Sequence, residues 1–249
     1  MRTLYDNGVM DCSSGNIVAS SEHANFPASH LLDTRISKYY KSLLASTVNI
    51  VFSLPATADC TVVGLVGHNL STVGTAVIQG AVSDSWGSPG YESTVTTRVS
   101  GPMVLFFGST KSYRYWRLVL TDTTVGAFEA GIIFIGGYVQ HDPSAEPVFP
   151  ENLTRNDIRS ESVGGQHYAS EGVQQKEYEF LIPFCVASVK SAVQTMYESA
   201  GLHTPVIMIH YDTTYGVIEP LYCTIRDEVT FTHLRGDNWK YQMNFRECK

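Results

Sequence analysis

The stretch YRYWRLVLT (113–121) decides the fold class. Its large apolar residues alternate with polar ones. That is the period of two that sends successive side chains to opposite faces of a β-strand. Upstream, VNIVFSL (48–54) reads as a strand ended by Pro55, and TVVGLVG (61–67) as a second strand followed by the polar turn HNLST (68–72). AVIQGAVS (76–83) is a third. Residues 84–101 are turn-rich, with Asp84, Gly87, Pro89 and Gly90, and Met103–Phe107 is a short strand. Downstream, IIFIGGYV (132–139) closes the set. Near the start, DCSSGNIVASSE (11–22) reads as a strand edge and loop, and NFPASHLLD (25–33) as a turn with a short helical or looped stretch. Short strands separated by turn signals, with almost no helical periodicity, predict an all-β sandwich.

The character of the chain changes near residue 142. Pro143, Pro147 and Pro150 stiffen HDPSAEPVFPENL (141–153) into a linker and oppose ladder pairing. The polar, glycine-containing RNDIRSESVGGQHYASEG (155–172) is expected to be a loop, or an arm that orders on a partner. Then KEYEFLIPF (176–184) reads as a strand. CVASVKSAVQTMYES (185–199) carries Val186, Val189, Val193 and Met196 at helical spacing, with Gly201 as a stop. Strands are expected over 205–211, 217–225, 229–234 and 239–246, with Asp237 and Asn238 supplying turn chemistry before the last. One helix over a small antiparallel sheet follows. The expected organisation is a sandwich over 1–142, a linker and arm over 143–175, and a β-rich module with one helix over 176–249.

Composition narrows the function classes. In 249 residues, 43% are hydrophobic and 16% charged, which suits a folded chain and argues against disorder. The net charge of −7 and the lack of a basic run argue against nucleic-acid binding. No apolar run approaches the roughly 20 residues of a membrane helix, so no membrane insertion is expected. The 14 tyrosines fit both strands and interfaces. Five cysteines, Cys12, Cys60, Cys185, Cys223 and Cys248, show no CxxC spacing and read as buried thiols kept in a reducing compartment.

No catalytic constellation is visible. The eight histidines form neither HxH nor HExxH, so no metal is expected. Glu177 and Glu179 share a strand face, a carboxylate pair that reads more simply as a solvated surface. Phosphate-binding loops, nucleophile elbows and dinucleotide fingerprints are missing from the sequence. The expectation is a protein that is not an enzyme and uses no cofactor.

Several pieces, in order, carry a resemblance to discoidin-like, galactose-binding-type modules. They are PASHLLD (27–33), VNIVFSL, TVVGLVGHN (61–69), AVSDSWG (81–87), YRYWRLVL and IIFIGGYV. The chain departs from that pattern at SKYYKS (37–42), where an aromatic usually follows the Asp, and it lacks the closing cysteine pair. The resemblance implies a jelly-roll sandwich that binds glycans, lipids or proteins through loops at one end. On that basis Tyr39, Tyr40, Trp86 and Tyr91 are the candidates for stacking on a sugar face. Trp86 beside Gly87 also fits a lid on the sandwich core.

The second half resembles the small β-barrel-plus-helix modules of tail-tube, distal-tail and baseplate proteins of long-tailed bacteriophages. EYEFLIPF (177–184), the helix over 185–199 and WKYQMNFRE (239–247) carry that resemblance. It implies a ring-shaped homo-oligomer in the virion tail, assembled in the host cytoplasm. The sandwich would then contact other tail proteins or a host-surface glycan. The alternative is a stand-alone carbohydrate-binding, lectin-like protein.

Overall fold

In a computed structural model of the chain, the residues described are 1–7, 16–95, 101–141, 151–155, 158–161, 167–170, 172–209, 211–212, 216–217 and 220–249. The protein is mainly β. In chain order the strands are β1 (Arg2–Asn7), β2 (Ile17–Ala19), β3 (Tyr40–Lys41), β4 (Thr47–Val66), β5 (Thr75–Ala81), β6 (Tyr91–Val95), β7 (Met103–Thr121), β8 (Glu129–Ala130) and β9 (Ile132–Gln140). They continue as β10 (Glu151–Arg155), β11 (Ile158–Glu161), β12 (His167–Ser170) and β13 (Gln174–Val186). After α1 (Ala187–Ala200), the one α-helix among the described residues, come β14 (Val206–Ile209), β15 (Tyr211–Asp212), β16 (Gly216–Val217), β17 (Leu221–Ile225), β18 (Thr230–Arg235) and β19 (Asn238–Glu247). Two compact units result. One comprises Met1–Gln140 with Val206–Tyr222, the other His141–Pro205 with Cys223–Lys249.

The first unit is a β-sandwich built around two very long strands. Pro55 does not end β4, and 103–107 and 113–121 belong to one strand, β7, instead of two. The β4–β7 register slips between Ser53 and Ala58, and again between Cys60 and Val62. Pro55 therefore sits where the ladder is already broken, and its missing N–H removes no bond there. Before the slip, β4 pairs with β2 and with Tyr115–Thr121; beyond it, β4 pairs with β9 and with the start of β7. The long strands thus pass from one layer to the other through an irregular corner. Inward residues of both layers meet in one core: Ile50, Phe52, Ile78, Trp116 and Leu118 from one, Val63, Leu65, Met103, Ile133 and Ile135 from the other. Each such buried side chain contributes about 1.5–3 kcal/mol.

β9 is buried on both faces over Ile132–Ile135. On the face away from the core, Gly64 leaves room for neighbours. A Cβ there would meet Ile207 Cδ1 at 2.7 Å. β14 pairs antiparallel with β1, Thr3 opposite Met208, so this strand of the carboxy-terminal half completes the first unit. NFPASHLLD forms a 3-10 helix over Ala28–Leu32, as its reading allowed.

In the second unit β13 pairs with β19 and β19 with β17, while β18 joins β19 in a hairpin. The hairpin turns at Gly236, whose φ of 59 lies in the left-handed region that glycine tolerates. β13 carries a bulge between Ile182 and Cys185, where Pro183 cannot donate to the ladder. Phe180, Ile182, Tyr241, Met243 and Phe245 form the buried face, with Phe180 edge-on to Phe245 at 5.5 Å. α1 packs on β13 and β19 through Val193, Met196 and Ala200. It ends at Gly201, φ 57, whose N–H bonds Tyr197 O at 2.7 Å. No barrel closes among the described residues, which corrects the barrel expectation: β10 stands at the end of the strand order.

Of the linker and arm expected over 143–175, residues 143–150 lie outside the described residues, and the parts described beyond them include paired strands where a loop or arm was expected. β10 pairs with β13 from Glu151 opposite Tyr178 to Arg155 opposite Gln174, and β11 pairs with β12. Backbone pairing does not require apolar alternation, so polar segments such as ENLTR (151–155) and HYAS (167–170) show no strand period in the sequence.

Candidate functional site

The four nominated aromatics separate in the fold. Tyr40 is fully buried, and its hydroxyl donates to the carbonyl of Ser21, so it offers no face to a ligand. Tyr91 turns to the core side of β6, edge-on to Phe107 at 5.0 Å, with Lys111 Nζ 4.9 Å from its ring centre. Tyr39 stacks on Phe26 at 4.8 Å and 18°. Trp86 lies in the loop between β5 and β6 and is half-buried.

Tyr39 and Trp86 sit toward opposite ends of the strands. The Trp86 loop leaves β5 after Ala81, which is paired with Tyr115, while Asp122, just beyond the Thr75–Thr121 pair, bonds Ser46 O in the Tyr39 segment. Six residues of strand separate those levels, about 20 Å at roughly 3.3 Å per residue. One ligand-sized site cannot hold both.

The Trp86 end gathers the more complete set of groups. On β7, Trp116, Leu118 and Leu120 point inward, so Arg117 and Val119 point outward. Register then lines up Glu92, Gln79, Arg117, Val51 and Val18 across β6, β5, β7, β4 and β2. Arg117 Nε donates to Gln79 Oε1 at 2.5 Å, and Gln79 Nε2 donates to the Glu92 carboxylate. Gln79 is only 7% exposed although it faces outward, because its neighbours cover it and use both ends of its amide.

Over this row lies the indole. The Arg117 guanidinium carbon is 4.6 Å from the Trp86 ring centre, a cation–π stack. Trp86 Nε1 donates to Asp84 Oδ1 at 2.7 Å. Trp86 is therefore not a lid on the sandwich core; it lids a charged row on the outer face. Burial pulls the Arg117 pKa below the ordinary guanidinium value, with Glu92 and Asp84 acting in the opposite direction. The terminal NH2 groups of Arg117 make no hydrogen bond among the described residues. The arrangement offers an aromatic surface, a planar cationic donor and two carboxylates, Asp84 and Glu92, at one edge of the sandwich. Such a set binds hydroxyl-rich ligands, the ring covering their C–H faces and the charged groups their hydroxyls.

Sequence reading missed Arg117, Gln79, Asp84 and Glu92 as a group. The available signal was an Arg at an outward position of an otherwise apolar strand; which residues face it is set by register between strands.

At the other end the polar groups serve the loops. Asp33 is held well below the usual carboxylate range by hydrogen bonds from Arg35, with Lys38 adding to them. His30 Nδ1 donates to Tyr39 O at 3.0 Å. Lys41 meets Glu129 at 2.7 Å. Buried Asp122 accepts from the N–H groups of Ser71 and Thr124, both at 2.8 Å, and from the Thr124 hydroxyl at 2.7 Å. Burial alone would raise its pKa; these bonds hold it well below the usual carboxylate range.

Glu177 and Glu179 are not a solvated pair. Glu177 is buried between Arg226 at 2.5 Å and Arg246 at 2.6 Å, and Glu179 accepts from Gln242. Each carboxylate is committed to a neighbouring strand. Among the described residues no group of three or more His, Cys, Asp or Glu could hold a metal ion. Cys60, Cys185 and Cys223 are buried thiols and Cys248 is half-buried, while Cys12 lies outside the described residues.

No protein-family model matches the chain, and no curated protein matches it. Among solved structures it is similar to chitosan-binding module 1 of a chitosanase/glucanase from Paenibacillus sp. IK-5, at 21% identity, covering 53% of this chain and 99% of that one, with a TM-score of 0.42. It is similar also to the family 32 carbohydrate-binding module of C. perfringens NanJ, solved with galactose, at 13% identity, 55% and 99% coverage and a TM-score of 0.42. The lectin domain of lectinolysin, solved with Lewis B antigen, gives 11% identity, 52% and 95% coverage and a TM-score of 0.43.

Proposed function

We propose that the chain is a non-catalytic recognition protein whose first unit holds a glycan at the Trp86 edge of its sandwich. The observation that carries this reading is the stack of Trp86 on Arg117, with Asp84 and Glu92 beside it. The indole supplies the apolar surface, and the guanidinium and carboxylates supply directional bonds to hydroxyls. No bond is made or broken in this reading. A glycan array followed by titration calorimetry tests it. Binding that disappears in Trp86→Ala and weakens in Arg117→Lys, with melting unchanged, is the expected result. An array with no hits, or hits indifferent to both substitutions, overturns it.

A second reading makes the chain a tail-tip or baseplate subunit of a long-tailed bacteriophage, located in the virion and assembling as a ring. Supporting it, the three segments that carry that resemblance come together in one unit, with β13 paired to β19 and α1 packed on both. Mass photometry of the purified chain, and immunogold labelling of particles, test this reading. A closed species of more than two copies is expected, and a chain that neither forms one nor labels tails excludes it.

A further inference from the structure

We infer that Tyr113 is the positioning residue of the Trp86 edge: its ring fills the neck of the loop between β5 and β6 and so sets where Trp86 lies over Arg117. The consequence for ligand affinity rests on the glycan reading; the placement itself does not.

The loop leaves β5 after Ala81 and rejoins the sheet at Tyr91, and Gly80 pairs with Tyr91 across its neck. Gly90 is the last residue before β6. Neither Gly80 nor Gly90 has a positive φ, so backbone conformation does not demand glycine at either position. Space does. A Cβ on Gly80 would stand 2.5 Å from Tyr113 Cδ2, and one on Gly90 would stand 2.9 Å from both Cε1 and Oη of the same ring. Ordinary contact between such atoms begins at roughly 3.5 Å. One side chain therefore leaves no room for a methyl group on either stem of the loop.

Tyr113 is itself fixed. Its ring stands edge-on to Trp116, with centroids 5.7 Å apart and planes at 85°. Trp116 has no exposed surface and stacks in turn on Phe107 at 5.8 Å. In a close-packed interior such a ring has nowhere to retreat, so a group added at Gly90 displaces the loop and not the ring.

The displacement reaches the outer face. Trp86 stands four residues before Gly90, and its Nε1 donates to Asp84 Oδ1 within the same loop, so the two travel together. Arg117 belongs to β7 and is held by Gln79 on β5, so it stays behind. A binding constellation works when its groups are held to about 0.5 Å. Opening a 2.9 Å approach to roughly 3.5 Å takes a movement of that size.

The test reads the Trp86–Arg117 contact directly. The indole ring current displaces the NMR signals of the Arg117 side chain, and Trp86→Ala gives their position without the ring. Gly90→Ala and Tyr113→Leu should each lose most of that displacement. Tyr113→Phe keeps the ring and should retain it. Adding Gly90→Ala to Tyr113→Leu should change nothing further, because the ring that the methyl group meets is gone. In glycan titrations Gly90→Ala and Tyr113→Leu should weaken binding on the order of tenfold, with Tyr113→Phe matching the wild type. Circular dichroism checks that every variant is folded. Should Tyr113→Leu lose its fold, Gly90→Ala and Tyr113→Phe decide the question, since both keep the ring. Arg117 signals unmoved by Gly90→Ala, a Phe variant that loses the displacement, or fully additive effects of the two substitutions overturns the inference. Arg117 signals that move as expected in a protein that binds no glycan remove the glycan reading and leave the placement standing.

Discussion

The guanidinium of Arg117 lies 4.6 Å from the ring centre of Trp86, on the face of β7 turned away from the core. Because the contact is outside the core, the ring can be removed without opening a cavity. Trp86→Ala should therefore change stability by about 1 kcal/mol or less, the size of an exposed cation–π contact. Trp116→Ala, in the centre of the core, should cost about 3–5 kcal/mol. Urea denaturation of both variants, beside glycan titration of the first, separates a recognition residue from a structural one.

Asp122 should act as the clasp of its loop. Its carboxylate satisfies two backbone N–H groups and a hydroxyl at a position only 2% exposed. Asp122→Ala leaves those donors without an acceptor and should cost about 1–3 kcal/mol. Asp122→Asn keeps one acceptor oxygen and should cost less. Thermal melts of the two variants side by side give the order; equal losses would show that shape and not the carboxylate matters.

Glu177 is expected to be a stability hinge of the second unit. Removing its charge leaves Arg226 and Arg246 facing a neutral group. The arginine side chains are 46% and 37% exposed, so water compensates part of the loss. Glu177→Gln should cost about 1–2 kcal/mol. A double-mutant cycle with Arg246→Gln measures the pair, and a coupling indistinguishable from zero would remove this role.

His141 makes the second unit sensitive to acid. The ring is completely buried, its Nδ1 lies 2.6 Å from Tyr241 Oη, and burial pushes its pKa down from 6.5 to about 3. Between those values the unfolded chain takes up a proton that the folded one refuses, so folding is favoured above pH 6.5 and loses ground as pH falls toward 3. The slope is about 1.4 kcal/mol per pH unit, or about 2 kcal/mol between pH 6.5 and 5. Urea titrations at pH 7.5, 6 and 5 should show the loss, and His141→Gln, which keeps a hydrogen-bonding group, should flatten it. An unchanged slope in that variant would assign the acid sensitivity to other groups.

Much of the architecture was legible from residue order. Wherever a strand has one buried and one outward face, its side chains alternate, and YRYWRLVLT, AVIQGA and EYEFLI declare themselves. The helix at Ala187–Ala200 and its glycine stop were equally plain, since spacing and φ preference are local properties. Three things were not local. Pro55 looked like a strand end because its tolerance depends on a bulge made jointly with β7. β10 was hidden because its sequence, ENLTR, carries no apolar alternation to read. Tyr40 and Tyr91 looked like Trp86 and Tyr39, since burial belongs to the assembled sheet and not to the residue. The residue order by itself determined which segments become strands and that β structure dominates. Only the tertiary structure decided which strands adjoin, and hence that Glu92, Gln79, Arg117 and Trp86 meet, because cross-strand neighbours are chosen by packing among segments far apart in the chain.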